Sequence, residues 1–98
     1  MNLGDRMAKV TVVLRPYLMG HAGGRGEVSG VGDTLGEVLE NLGAEYPSLG
    51  QHVLELDHGV APGVRVHVNN VVVSFPEALS SPVKDGDSVR LLLAIGGG

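Results

Sequence analysis

Four histidines, eleven acidic side chains and no cysteine are the main reactive groups of this 98-residue chain. Their spacing excludes more chemistry than it permits. His21, His52, His58 and His67 have no helical i, i+4 partner and no carboxylate at a metal-ligand spacing, so no metal site is expected. The plain reading places His21 and His58 in solvated loops, His52 on a short helix and His67 on the polar face of a strand. Glu37, Glu40 and Glu45 fall away from an apolar stripe and read as the wet side of a helix. Gly20-x-x-Gly23-Gly24-x-Gly26 resembles a phosphate-cradling loop, yet it joins two strands and no Lys-Ser/Thr follows it, so it reads as a turn. Hydroxyls are present, but none has an activating base in view. No catalytic residue and no bound cofactor are expected, and the chain does not read as an enzyme.

What remains is Leu91-Leu92-Leu93-Ala94-Ile95-Gly96-Gly97-Gly98, where a hydrophobic strand gives way to residues without side chains. Glycines lack Cβ, so Gly96 and Gly97 suit a segment that threads a narrow channel and presents the Gly98 carboxylate to a partner. A free carboxylate resists nucleophiles. As an acyl-adenylate it carries a good leaving group and can accept sulfur to become a thiocarboxylate. With no cysteine in the chain, sulfur could be carried only on the backbone. The bland alternative for terminal glycines is a frayed end.

Such a tail needs a rigid body behind it. Ninety-eight residues suffice for a single domain, here 1–98, with residues 1–6 a loose leader and 96–98 a flexible functional tail. Hydrophobic residues make up 43% of the chain, enough for a core, and with one Phe, two Tyr and no Trp that core must be built from Val and Leu. The same shortage of aromatics leaves no stacking platform for bases, so nucleic acid is not an expected partner. Net charge is −4 and the Lys and Arg residues are scattered singly, which argues against a membrane surface and favours a basic partner. No apolar targeting segment opens the chain, so a cytoplasmic protein is expected.

Ala8 to Leu14 alternates, with Val10, Val12 and Leu14 on one face, and reads as a strand that Arg15-Pro16 ends. A glycine-rich mobile turn over 20–24 and a return strand over Arg25 to Ser29 follow. Leu35, Val38, Leu39, Leu42 and Tyr46 form a helical stripe, capped by Asp33 or Thr34 and stopped by Pro47. Gly36 and Gly43 weaken this helix by roughly 1 kcal/mol each relative to alanine. Ser48 to Leu56 suits a short helical turn with Leu49, Val53 and Leu56 inward, and His58 to Gly63 a loop. Val64–Val68 and Val71–Val73 form a hairpin about Asn69-Asn70, residues that tolerate positive φ. Pro76 to Lys84 is a crossover with one helical turn, and Asp85-Gly86-Asp87 turns into a last strand, Ser88 to Ile95. The order β-β-α-β-β-β, with first and last strands parallel, describes an α+β chain of the β-grasp (ubiquitin-like) class, a mixed sheet packed on one main helix.

Leu14-Arg15-Pro16, Gly32-Asp33-Thr34-Leu35-Gly36, Val68-Asn69, Asp85-Gly86-Asp87-Ser88-Val89 and Gly97-Gly98, in this order over nearly the whole chain, resemble the ubiquitin-like sulfur-carrier family. That family includes the small subunit of molybdopterin synthase and the thiamine-pathway carrier, and the likeness is greatest to carriers of the mycobacterial cysteine-biosynthesis type. The resemblance implies that an E1-like adenylyltransferase/sulfurtransferase uses ATP to adenylate Gly98. Conversion to a thiocarboxylate would follow, and a downstream synthase, for cysteine or in the alternatives molybdopterin or thiamine, would take the sulfur. Gly96 and Gly97 would thread the partners' active sites. Phe75, Leu92 and Ala94 are candidate partner contacts, although Leu92 equally fits a place beneath the helix. Many molybdopterin-type members carry a proline shortly before the terminal glycines, where this chain has Leu93-Ala94-Ile95 and a third glycine. A different class of function, attachment through Gly98 to lysines as a protein modifier, uses the same activated intermediate.

Overall fold

The computed structural model describes residues 7–52, 60, 61 and 63–93; residues 1–6, 53–59, 62 and 94–98 lie outside that description. Strand β1 (Ala8–Leu14) alternates as its β-branched run predicts, with Val10, Val12 and Leu14 buried and Lys9 and Thr11 exposed. Beyond it the chain departs from expectation. Residues 20–24 are not simply a mobile turn: helix α1 (Pro16–Met19) and a 3₁₀ turn (Gly20–Ala22) come first, and Leu18 and Ala22 are both buried. Pro16 presets a helical φ at the first turn, and the left-handed Gly23 (φ 68°) and Gly24 (φ 86°) end the segment. The core needed Leu18, and a helical turn is what delivers it.

The return strand, β2 (Glu27–Gly32), starts and ends later than the predicted Arg25 to Ser29. Its two late glycines, Gly30 and Gly32, allow a close approach. A Cβ on Gly30 would meet Val12 Cγ2 and Val38 Cγ1 at 3.0 Å, and one on Gly32 would meet the Val38 nitrogen at 2.7 Å. Without side chains, β2 lets helix α2 (Leu35–Glu45) settle directly on the sheet. Of the two candidate caps, Thr34 serves: its Oγ1 accepts from Glu37 N–H at 3.3 Å, while Glu37 Oε1 accepts from Asp33 N–H at 2.8 Å. Leu35, Val38, Leu39 and Leu42 are buried, each worth about 1.5–3 kcal/mol of transfer free energy.

Helix α3 (Pro47–His52) follows and buries Leu49; Val53 and Leu56, also expected to face inward, lie outside the described residues, as does most of the predicted 58–63 loop. Strands β3 (Val64–Val68) and β4 (Val71–Val73) make the predicted hairpin, with Asn69 (φ 50°) and Asn70 (φ 71°) both left-handed as a type I′ turn demands. A 3₁₀ turn (Glu77–Ser80) occupies the crossover, and β5 (Ser88–Leu93) completes the chain described.

The sheet order is β2-β1-β5-β3-β4, with β1 and β5 parallel and the other pairs antiparallel. One cluster of buried Val, Leu and Ala residues joins the helices to one sheet face, the β-grasp arrangement. Among the described residues no helix is long and apolar enough to cross a membrane.

Candidate functional site

The chain reaches its terminal glycines through β5, so the site is built from that strand outward. β5 occupies the middle of the sheet, hydrogen-bonded to β1 on one side and β3 on the other. Val89 and Leu91 are fully buried beneath the helices. The intervening residues, Arg90 and Leu92, are half-buried and face the other way by the two-residue period of a strand. Leu91, not Leu92, is therefore the residue under the helical layer, and the choice left open by the sequence falls to the open face.

Where β5 begins, the Asp85-Gly86-Asp87 motif fixes its register. Gly86 takes φ 88°, and its N–H donates to the Lys9 carbonyl at 3.0 Å. Asp85 Oδ1 accepts from Lys9 N–H at 2.8 Å. The Asp87 carboxylate accepts from Asn69 Nδ2 at 3.0 Å and from Lys84 N–H at 2.9 Å, while Asn69 Oδ1 accepts from Ser88 N–H at 2.9 Å. The Asn69 hydrogen bond, then that from the Lys84 amide, hold the Asp87 carboxyl below the ordinary aspartate value, because both stabilise the ionised form. One motif thus ties the β3–β4 hairpin, β1 and β5 together.

The predicted site residues divide by position. Ala94, Gly96, Gly97 and Gly98 lie outside the described residues. Phe75 is half-buried and packs against the core, whereas Leu92 stands on the open face opposite Arg65. His21 is half-buried in a 3₁₀ turn, not in a solvated loop: its ring stacks on His52 with centroids 4.9 Å apart, and its Nδ1 lies 2.6 Å from Ser48 Oγ. His52 Nδ1 donates to the Ser48 carbonyl at 2.9 Å. His67 is half-buried on β3 beside Arg90, and His58 is outside the described residues. Among the described residues no group of three or more His, Asp or Glu side chains could hold a metal ion. Glu37, Glu40 and Glu45 are exposed along α2, its wet side.

Sequence inspection missed one arrangement. Lys9, Arg65 and Arg90 stand singly in the chain, but each occupies an outward position of its strand, and the register brings them to a single face. Counting strand parity from the buried valines would have found it. A groove at the β2 edge of the sheet is lined by Thr11, Arg25, Glu27, Asn41, Glu45 and Tyr46.

Comparison with known proteins adds an independent line. The model of the ThiS family matches residues 21–98. The sulfur carrier protein CysO of Mycobacterium tuberculosis is 37% identical over 94 residues, covering 91% of this chain and 98% of that protein. Small archaeal modifier protein 3 of Haloferax volcanii is 35% identical over 65 residues, 66% of this chain and 70% of the relative. In the crystal structure of the Amycolatopsis orientalis BexX/CysO complex, the matching chain superposes with a TM-score of 0.79 at 29% identity, covering 91% of this chain and 99% of that one.

Proposed function

The chain belongs to the ThiS family, and on that premise we propose that it is a sulfur carrier, loaded as a thiocarboxylate on Gly98, that serves cysteine formation. The observation that carries this reading is the 37% identity to a sulfur carrier protein over nearly the full length of both chains. It is supported by the architecture, in which the central strand β5 leads directly toward Gly96-Gly97-Gly98.

The chemistry is simple to balance. An oxygen of the Gly98 carboxylate attacks the α-phosphorus of ATP, pyrophosphate leaves, and an acyl-adenylate forms on an E1-like activating enzyme. A sulfide equivalent then attacks the acyl carbon, AMP departs, and the thiocarboxylate remains. A synthase accepts the sulfur, and hydrolysis of the spent acyl group regenerates the carboxylate. The folded body performs none of these steps; it binds the partner enzymes. A complex containing a relative, BexX/CysO, is consistent with a carrier that works by docking.

A second reading rests on the 35% identity to an archaeal modifier protein: the same adenylate can be captured by a lysine amine, giving an isopeptide bond. Intact-mass spectrometry of the protein from its own cells separates the two. Replacement of one carboxyl oxygen by sulfur supports the carrier, branched Gly-Gly-lysine peptides support the modifier, and an unaltered mass in cells making cysteine by this route refutes the carrier.

A further inference from the structure

The sheet has two free edges, β2 and β4. β4 offers three residues, whereas β2 offers six and runs beside the groove described above. Which backbone groups β2 presents there follows from its register. Leu14 N–H donates to the Gly26 carbonyl at 2.8 Å, one step beyond the Val13–Glu27 pair. Bonded and non-bonded pairs alternate in an antiparallel ladder, so Gly26, Val28, Gly30 and Gly32 turn their N–H and C=O groups to β1. Glu27, Ser29 and Val31 turn theirs to the bare side. The side chain of Asn41 on α2 confirms the phase, because its Nδ2 donates to the Val31 carbonyl at 2.9 Å. Among the described residues, the backbone groups of Glu27 and Ser29 and the Val31 N–H have no partner.

These outward donors and acceptors recur about every 6.8 Å, two residues of strand, a repeat that matches another extended chain rather than a small molecule. Edge strands are commonly blunted by lysine, proline or a bulge. β2 contains neither residue, and its pairing with β1 runs unbroken from Glu27 to Gly32. Side chains set the chemistry of a guest. By alternation Glu27 and Ser29 stand on the open face, while α2 brings half-buried Tyr46 and exposed Glu45 to the other flank of the groove. A guest strand thus meets a carboxylate on each side and the Tyr46 ring beneath. Arg25 stands just before β2, at one end of the groove, so cationic groups of a guest belong opposite Glu27 and Glu45. The net charge of −4 favours the same sign of guest at longer range.

We propose that the bare edge of β2 takes up an extended, lysine- or arginine-bearing segment of a partner protein, pairing with the backbone of Glu27, Ser29 and Val31. Alternate guest residues lie toward Glu27 on the open face and toward Tyr46 on the helical side. The main-chain ladder supplies affinity and the two carboxylates choose the sign of charge. The site does not depend on what Gly98 carries. A guest strand lies three strand spacings, about 14 Å, from β5, so its seating does not compete with a partner on that strand.

The probe is an amidated peptide of about seven residues alternating lysine and valine, titrated into the isotope-labelled full chain and followed by amide NMR. In about 50 mM NaCl the amide signals of Glu27, Ser29 and Val31 should shift more than those of Val28, Gly30 and Gly32, and their hydrogen exchange should slow at least about threefold. The same peptide with glutamate in place of lysine should bind at least about tenfold more weakly. Glu27→Lys with Glu45→Lys, which keeps the backbone edge, should weaken the lysine peptide about tenfold. Ser29→Pro removes one outward donor at an edge position and should abolish the shifts at Glu27 and Val31. Circular dichroism checks that this variant folds, and the charge-reversed pair decides the matter if it does not. A lysine peptide that shifts no amide at about 1 mM, that moves Arg65 and Arg90 instead of Glu27 and Ser29, or that binds no better than its glutamate counterpart overturns the proposal. Concentration-dependent self-association at the same three amides without peptide also overturns it, by assigning the edge to a second copy of the chain.

Discussion

The two faces of the sheet are written by alternate residues of the same strands, yet they obey different rules. On the covered face Val10, Val12, Leu14, Val66, Val89 and Leu91 are nearly or completely inaccessible, and their neighbours fix each shape. On the open face Lys9, Thr11, Arg65, Arg90 and Leu92 are partly or fully exposed and are constrained by register alone. The contrast teaches that folding and recognition are interleaved at a spacing of one residue. A change at Leu91 should act on stability, and a change at its neighbour Leu92 on partners.

The largest effect expected divides the tail from both faces. Deleting Gly97 and Gly98 should abolish thiocarboxylate formation in a reconstituted loading assay while the melting temperature stays within about 2 °C, since no described core residue is touched. Sulfur loading by the shortened chain would defeat the carrier reading. On the covered face, Leu91→Ala should cost about 2–5 kcal/mol in urea unfolding, because a completely buried side chain in the central strand leaves a cavity. Leu92→Ala should cost far less, and a similar loss for the two would erase the contrast. Gly32→Ala should cost about 1–3 kcal/mol, as the new Cβ would lie 2.7 Å from the Val38 nitrogen and force α2 away from β2. Thr34→Ala should remove about 1 kcal/mol with its cap hydrogen bond to Glu37 N–H.

The smallest expected effect lies at the other end of β5. The Asp87 carboxyl is held below its unfolded value by Asn69 and the Lys84 amide, so it contributes stability that is fully present above the unfolded value of 3.8. That contribution is lost as pH falls through the depressed folded value. Melting curves below about pH 4 should therefore fall less steeply for Asp87→Asn than for the parent. An identical acid slope would show that the turn does not depend on this charge.

Much of this was legible in the sequence because local chemistry and tertiary placement agree. The alternation of β1, a helix cap at Asp33 or Thr34, the Leu35-Val38-Leu39-Leu42 stripe and the Asn69-Asn70 turn each follow from a preference that the fold has no reason to override. The misses share a cause. The buried Leu18 makes a helical turn from what looked like loop, and β2 runs through Gly30 and Gly32 because α2 presses on them. The arginine cluster and the stacked His21 and His52 come from residues far apart in the chain, joined only by register and packing. As for the site itself, its terminal glycines stand out in the sequence, while the face beside them emerges only when the strands are aligned.

The central place of β5 has a mechanical consequence. Were a partner to draw on the C-terminus, as the proposed function requires, it would pull along a strand flanked on both sides, and the load would fall on the parallel ladder to β1 and the antiparallel ladder to β3 at once. Such a strand is loaded in shear and resists extraction, whereas an edge strand would peel away one bond at a time. A carrier working in the proposed way could thus be tugged, released and reused without unravelling.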